Sequence, residues 1–121
     1  MTALIIAYSN TLKGLYKFVK EVCPEELHSI NQMESVTNAL ENTSYSIFFD
    51  WCNDILAPYK CQIMNCDSDF FLGMNSDSWN SSKKMYFSKF TQVYKTLSEE
   101  NRVKLWWYFQ QLIKISERVA A

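Results

Sequence analysis

A compact, single-domain, all-α bundle of about five helices with one long Asp/Ser/Asn-rich loop is the fold this sequence predicts. Three observations predict it. Only two glycines and two prolines occur in 121 residues, too few for the tight turns of hairpins and barrels. Apolar side chains recur at three- and four-residue spacing instead of alternating. A hydrophobic content of 48% is enough for a chain of this length to bury a core without disulfide or metal staples, and it excludes disorder. No repeat or low-complexity tract divides residues 1–121, which read as one domain.

The first helix runs from Thr2, read as its N-cap, to about Val22, with Leu4, Ile5, Tyr8, Leu12, Leu15, Tyr16, Val19 and Val22 on one face. Pro24 ends it and opens the second, where Glu25 and Glu26 suit the positive end of the helix dipole. Leu27, Ile30, Met33, Val36 and Leu40 form the inward stripe of that helix, and "ENTS" breaks it. Ser44 caps a third helix carrying Ile47, Phe48, Trp51, Ile55 and Leu56 inward, and Pro58 stops or kinks it. Residues 59–66 fit a further helical turn or an extended piece, and "NCDSDFFLGMNSDSWNSS" is the long loop. A fourth helix, about 82–97, points Tyr86, Phe90, Val93, Tyr94 and Leu97 inward. Ser98 caps the last helix, with Glu99 and Glu100 in its first turn and Arg118 near its end.

That last helix contains four consecutive aromatics, Trp106 to Phe109, which sweep most of the way round an axis turning about 100° per residue. With Leu105 at zero, Phe109, Leu112, Ser116 and Val119 fall within about 40° of it and define the buried face. Trp106 and Ile113 take one shoulder and Tyr108 the other. Trp107 lands near 200°, beside Lys114 and Arg118 and close to Lys104 and Gln111. It either lies on its own helix under lysine stems, a cation–π arrangement, or anchors a partner. Ile6 and Phe18 stray from the stripe of the first helix in the same way. Apolar outliers on helices from both ends predict protein partners or self-assembly, with Trp107, Lys104, Gln111, Lys114, Arg118, Ile6 and Phe18 as the contact residues.

The net charge of −1 conceals a split. Residues 1–80 carry ten acids against four lysines, and residues 81–121 carry eight Lys or Arg against three acids. The basic half faces something anionic, or an acidic surface of its own fold or a neighbour. Nucleic acid is therefore the alternative partner. Lys83, Lys84, Lys89, Lys95, Arg102, Lys104, Lys114 and Arg118 interleave with Tyr86, Tyr94, Trp106 and Trp107, offering both charge and stacking surface. With only two arginines, such contact would follow the phosphate backbone and read sequence weakly.

Residue patterns for catalysis and metals are incomplete. Asn65, Asp67 and Asp69 mimic the start of a calcium loop, but Phe70 stands where the turn needs glycine and Ser76 where the ion needs glutamate. Cys52, Cys61, Cys66 and His28 lack the tight spacing of a zinc site, no signature flanks any Cys–His pair, and two glycines leave no phosphate-binding loop. The sequence thus predicts no enzyme, no cofactor, no metal and no small-molecule substrate. The four cysteines, Cys23, Cys52, Cys61 and Cys66, read as mostly buried reduced thiols of an intracellular protein. No run of about 18 apolar residues spans a bilayer, and no signal peptide is apparent before Lys13, Lys17 and Lys20.

"IMNCDSDFF" and "LSEENRVKLWWYFQQLIKISERV" together resemble segments of small, mostly helical, poorly characterised proteins of nucleocytoplasmic large DNA viruses. The matching positions, all in the C-terminal half, are Ile63, Asp67, Phe70, Phe71, Trp106, Tyr108, Leu112 and Ile115. The resemblance brings no catalytic residues. It implies a structural or interaction protein at work in the infected cell's cytoplasm or in the virion, a minor capsid or virion-associated role being one natural form.

Overall fold

Serine hydroxyls cap two of the helices, at Ser44 and Ser98. The computed structural model describes the backbone of residues 2–67 and 81–120 and the side chains of residues 2–67 and 89–120. Helix α1 is Thr2–Val22 and α2 is Leu27–Thr43, joined by a 3₁₀ turn, Pro24–Glu26. Helix α3 is Tyr45–Leu56, and a second 3₁₀ turn, Ala57–Tyr59, leads into the short α4, Lys60–Met64. Helices α5, Ser81–Thr96, and α6, Glu99–Ala120, complete the chain. The all-α prediction holds: five long helices and a short sixth, with no strand among the described residues. Most of the predicted loop, and with it Asp69, Phe70, Phe71 and Ser76 and the side chains of Lys83, Lys84 and Tyr86, lies outside the described residues.

Several boundaries differ from expectation for local reasons. Thr2 is already helical. Pro24 opens a tight 3₁₀ turn, and the α-helix starts only at Leu27. Glu41, Asn42 and Thr43 stay helical, and the break falls on Ser44 alone, whose extended backbone lets its hydroxyl accept from the Ile47 N–H at 3.4 Å. Ser98 does the same for the Asn101 N–H at 3.3 Å. Pro58, lacking an N–H, ends α3 and tightens the chain into the turn before α4.

One core joins these helices. Tyr8 sets its ring edge-on to both Phe48, with centroids 6.1 Å apart, and Phe49, at 5.3 Å. Phe90 meets Phe109 at 5.2 Å, and Tyr94 meets Trp106 at 5.8 Å, again edge to face. A cavity of about 50 Å³ remains between Leu12, Cys52, Phe90, Phe109 and Leu112. Lys13 and Lys20 pair with Glu41 and Glu34 of α2 at 3.2 and 2.7 Å. Two expected inward residues face outward, because α3 buries Phe48, Phe49, Cys52 and Leu56 and so turns Ile47 to solvent, while α2 buries Ile30, Met33 and Thr37 and turns Leu27 away. Only Cys23 and Cys52 of the four free thiols are buried; Cys61 and Cys66 are exposed on and just after α4.

The end of α4 stores a local conflict. Cys66 takes a left-handed conformation, φ 51°, while its N–H bonds the Ile63 carbonyl at 3.2 Å and the Asp67 N–H bonds the Gln62 carbonyl at 3.0 Å. This is the cap that glycine usually makes, here carrying a side chain. The Gln110 amide nitrogen of α6 reaches over it, 3.2 Å from the Ile63 carbonyl, 3.3 Å from that of Met64 and 3.1 Å from the Cys66 sulfur. Cys66→Gly is expected to raise stability by roughly 0.5–1 kcal/mol by relieving the backbone, and Gln110→Ala to lower it by about 1–2 kcal/mol, both read from urea midpoints. A loss on Cys66→Gly would mean the thiol contact outweighs the backbone.

Candidate protein-interaction face on α1 and α6

The packing of α6 on α1 generates the face. Cys23 at the end of α1 has its sulfur 3.5 Å from the Thr96 hydroxyl, just before α6 starts, whereas Gly14 at mid-helix faces Tyr108. The two helices therefore run antiparallel. A Cβ on Gly14 would lie 3.2 Å from the Tyr108 ring, so glycine is what lets that ring lie against α1. Phe18, one turn further, packs on the same ring with centroids 5.6 Å apart and planes tilted by 31°.

Trp107 comes next. It is 52% exposed and meets Tyr108 edge-on at 5.0 Å. Together Gly14, Lys17, Phe18, Glu21, Lys104, Trp107 and Tyr108 line an open groove of about 450 Å³. The cation–π alternative predicted for Trp107 is not the arrangement found. Among the described residues the cation seated over a ring is Arg102, 4.4 Å from the Tyr94 centroid, and Trp107 leans on Tyr108 instead.

Of the seven predicted contact residues, the groove gathers Phe18, Lys104 and Trp107. Ile6, 41% exposed, lies on α1 about 12 Å toward the N-terminus from Gly14 and about 80° round the helix, outside the groove. Lys114 and Arg118 are exposed and Gln111 half-buried further along α6. Phe18 is a correction. It is half-buried, sheltered by Tyr108 of its own chain, because α6 lies along the flank of α1 and covers a second face there. Val103, 66% exposed one turn before Trp107, belongs to the face and was missed. The helical wheel that isolates Trp107 also puts Val103 on the outer side.

The face is cationic by subtraction. Lys13 and Lys20 turn to α2, and Glu117 of α6 is taken by Lys60 of α4 at 2.8 Å, a hydrogen bond and charge contact that push the Lys60 pKa up. Lys17, Lys104, Lys114 and Arg118 have no ion-pair partner among the described residues, and Glu21 is the acid in the groove. The surface drawn for nucleic acid shrinks, however. Tyr94 and Trp106 are buried against each other. Arg102 closes the end of α5, its Nε donating to the Tyr94 carbonyl at 3.0 Å and its Nη2 to that of Lys95 at 3.4 Å.

No helix of the described residues is long and apolar enough to cross a membrane. Among the same residues no cluster of three or more His, Cys, Asp or Glu is placed to hold a metal ion. No family model, curated protein or solved structure matches this chain.

Proposed function

We propose that this protein is a non-enzymatic interaction protein that docks on protein partners through the α1/α6 face, with Trp107 as its anchor. The observation that carries the reading is a half-exposed tryptophan lining a groove with Lys17 and Lys104, its ring edge-on to Tyr108, with the exposed Val103 one turn earlier on the same helix. An aromatic already fixed by a neighbouring ring loses little freedom when a partner covers it, which is what makes such residues dominate binding energy. The resemblance in the C-terminal half supplies the setting of this proposal: an infected cell or virus particle, with a structural, virion-associated role. The same unpaired cations favour a second reading, nucleic-acid binding along the phosphate backbone, for which Trp107 is the exposed ring.

Measurement of the native mass of the complex the full chain forms tests the proposal. Trp107→Ala is expected to weaken association at least tenfold while lowering the thermal midpoint by only about 4 °C. Complexes of unchanged mass and affinity would overturn the docking role. Association that collapses steeply between low and moderate salt and carries nucleic acid would select the second reading.

A further inference from the structure

We infer that the α1/α6 groove receives an amphipathic helix of another protein, one whose apolar stripe is flanked by acidic side chains. The inference rests on the docking role proposed above and names the chemistry of the partner. The groove has an aromatic floor and charged lips. Phe18 and Tyr108, both half-buried, form the floor, and the exposed Lys17, Glu21, Lys104 and Trp107 stand around it. Helices α1 and α6 run antiparallel with Gly14 against Tyr108. Lys17, three residues on from Gly14, and Lys104, four residues back from Tyr108, therefore come level to within about 1.5 Å along the axes. One lysine borders each side of the groove at the same height.

These two cations select the charge of the occupant. Neither has an ion-pair partner among the described residues, whereas Lys13 and Lys20 of the same helix are taken by Glu41 and Glu34. Glu21, about 6 Å beyond Lys17 along α1, is the acid set against them, so the groove is net positive. A stripe framed by lysines or arginines would be repelled at both lips, and one framed by Asp or Glu is attracted at both. Two copies of this chain meeting through the same groove would oppose Lys17 and Lys104 to their own counterparts, so the acids come from a different surface.

Shape selects a helix. Both walls are helices, and no strand among the described residues offers an edge to which an extended segment could add. From Gly14 to Glu21 the groove runs about 10.5 Å, two turns of a helix. Two turns of an amphipathic helix present three or four apolar side chains in one stripe. Those side chains meet Phe18 and Tyr108 on the floor and Trp107 at the rim, with the exposed Val103 one turn before it. The acids beside the stripe then reach Lys17 on one lip and Lys104 on the other.

Fluorescence anisotropy of labelled synthetic helices, titrated with the full chain, tests this. The probe is an alanine-rich peptide of about 18 residues, long enough to hold a helix in water, with leucines at three- and four-residue spacing and glutamates on both flanks. One control carries lysines in place of the glutamates, and a second reorders the same residues so that the leucines scatter round the helix. The glutamate peptide is expected to bind, and each control to bind at least tenfold more weakly. Lys17→Glu with Lys104→Glu should reverse the preference between the two charged peptides, and Trp107→Ala should weaken the glutamate peptide at least tenfold. If the double variant fails to fold, the two charged peptides on the wild-type chain decide alone. No binding of the glutamate peptide, equal binding of either control, or a preference that the folded double variant leaves unchanged would each overturn the inference. A single-stranded oligonucleotide that binds more tightly than the glutamate peptide and displaces it would overturn it in favour of nucleic acid. A native complex that is lost on Trp107→Ala but not displaced by the glutamate peptide keeps the docking role and rejects the acidic helix. Complexes indifferent to Trp107 reject both.

Discussion

Phe109→Ala is expected to cost about 3–5 kcal/mol of folding stability, whereas Trp107→Ala, two residues away, should cost about 1 kcal/mol. Phe109 is 2% exposed, sits edge-on to Phe90 of α5 at 5.2 Å, and lines the 50 Å³ cavity between α1, α3, α5 and α6. Removing its ring extends that void, so lost transfer energy and lost packing add. A domain of this size has a total stability of roughly 5–15 kcal/mol, so the loss is a large share of it and should lower the thermal midpoint by roughly 12–20 °C. Trp107 contributes to the monomer chiefly through its edge contact with Tyr108, a pair worth about 0.5–1.5 kcal/mol. Urea unfolding of the two variants side by side checks the claim. Equal losses would place Trp107 in the core and remove the basis of the docking face.

The same pair of residues shows how far the sequence carries. A run of four aromatics cannot share one face of a helix, and the 100° step alone separates Trp107 from Leu105, Phe109 and Leu112, which the structure buries. Helix starts at Ser44 and Ser98 were legible because a hydroxyl accepting from the N–H three residues on is a local interaction. What was not legible depends on neighbours far along the chain. The position of α6 on the flank of α1 is what half-buries Phe18, and it works through Gly14, whose missing side chain says nothing of which ring will lie there. Arg102 reads in sequence as one of the basic residues offered to nucleic acid, but its donors go to the carbonyls at the end of α5 and its charge sits over the Tyr94 ring. Ile47 and Leu27 extend the apolar stripes of their helices in sequence, but each lies in a first turn and is exposed. The groove residues Phe18, Lys104 and Trp107 were named from sequence, but their conjunction in one groove needed the antiparallel packing of two helices about ninety residues apart.

Alkali should unfold this protein from within. Burial pushes the Cys52 thiol from its ordinary 9.0 up to about 12, with the charge of Glu41 adding to the effect. Burial likewise raises the Tyr8 hydroxyl well above its ordinary 10.0, with Cys52 and Tyr16 contributing, and it raises the Cys23 thiol. All three groups are neutral acids in the fold. Above about pH 9 the unfolded chain releases their protons more readily than the folded one, so the folded state holds more protons and stability falls as pH rises. The stabilisation is complete below pH 9 and is lost progressively toward pH 12; for Cys52 alone a shift of this size corresponds to about 4 kcal/mol. Thermal midpoints measured from neutral to alkaline pH should stay level and then drop steeply past about pH 9. Cys52→Val, which keeps an apolar group of similar size and cannot ionise, should make the drop shallower, leaving the part owed to Cys23 and Tyr8. A thiol reagent supplies an independent reading at neutral pH: Cys61 and Cys66 should react in the native chain, and Cys23 and Cys52 only once it is unfolded. If all four react at once in the native protein, the buried thiols are open to solvent, and only the part of the alkaline transition owed to Tyr8 should remain.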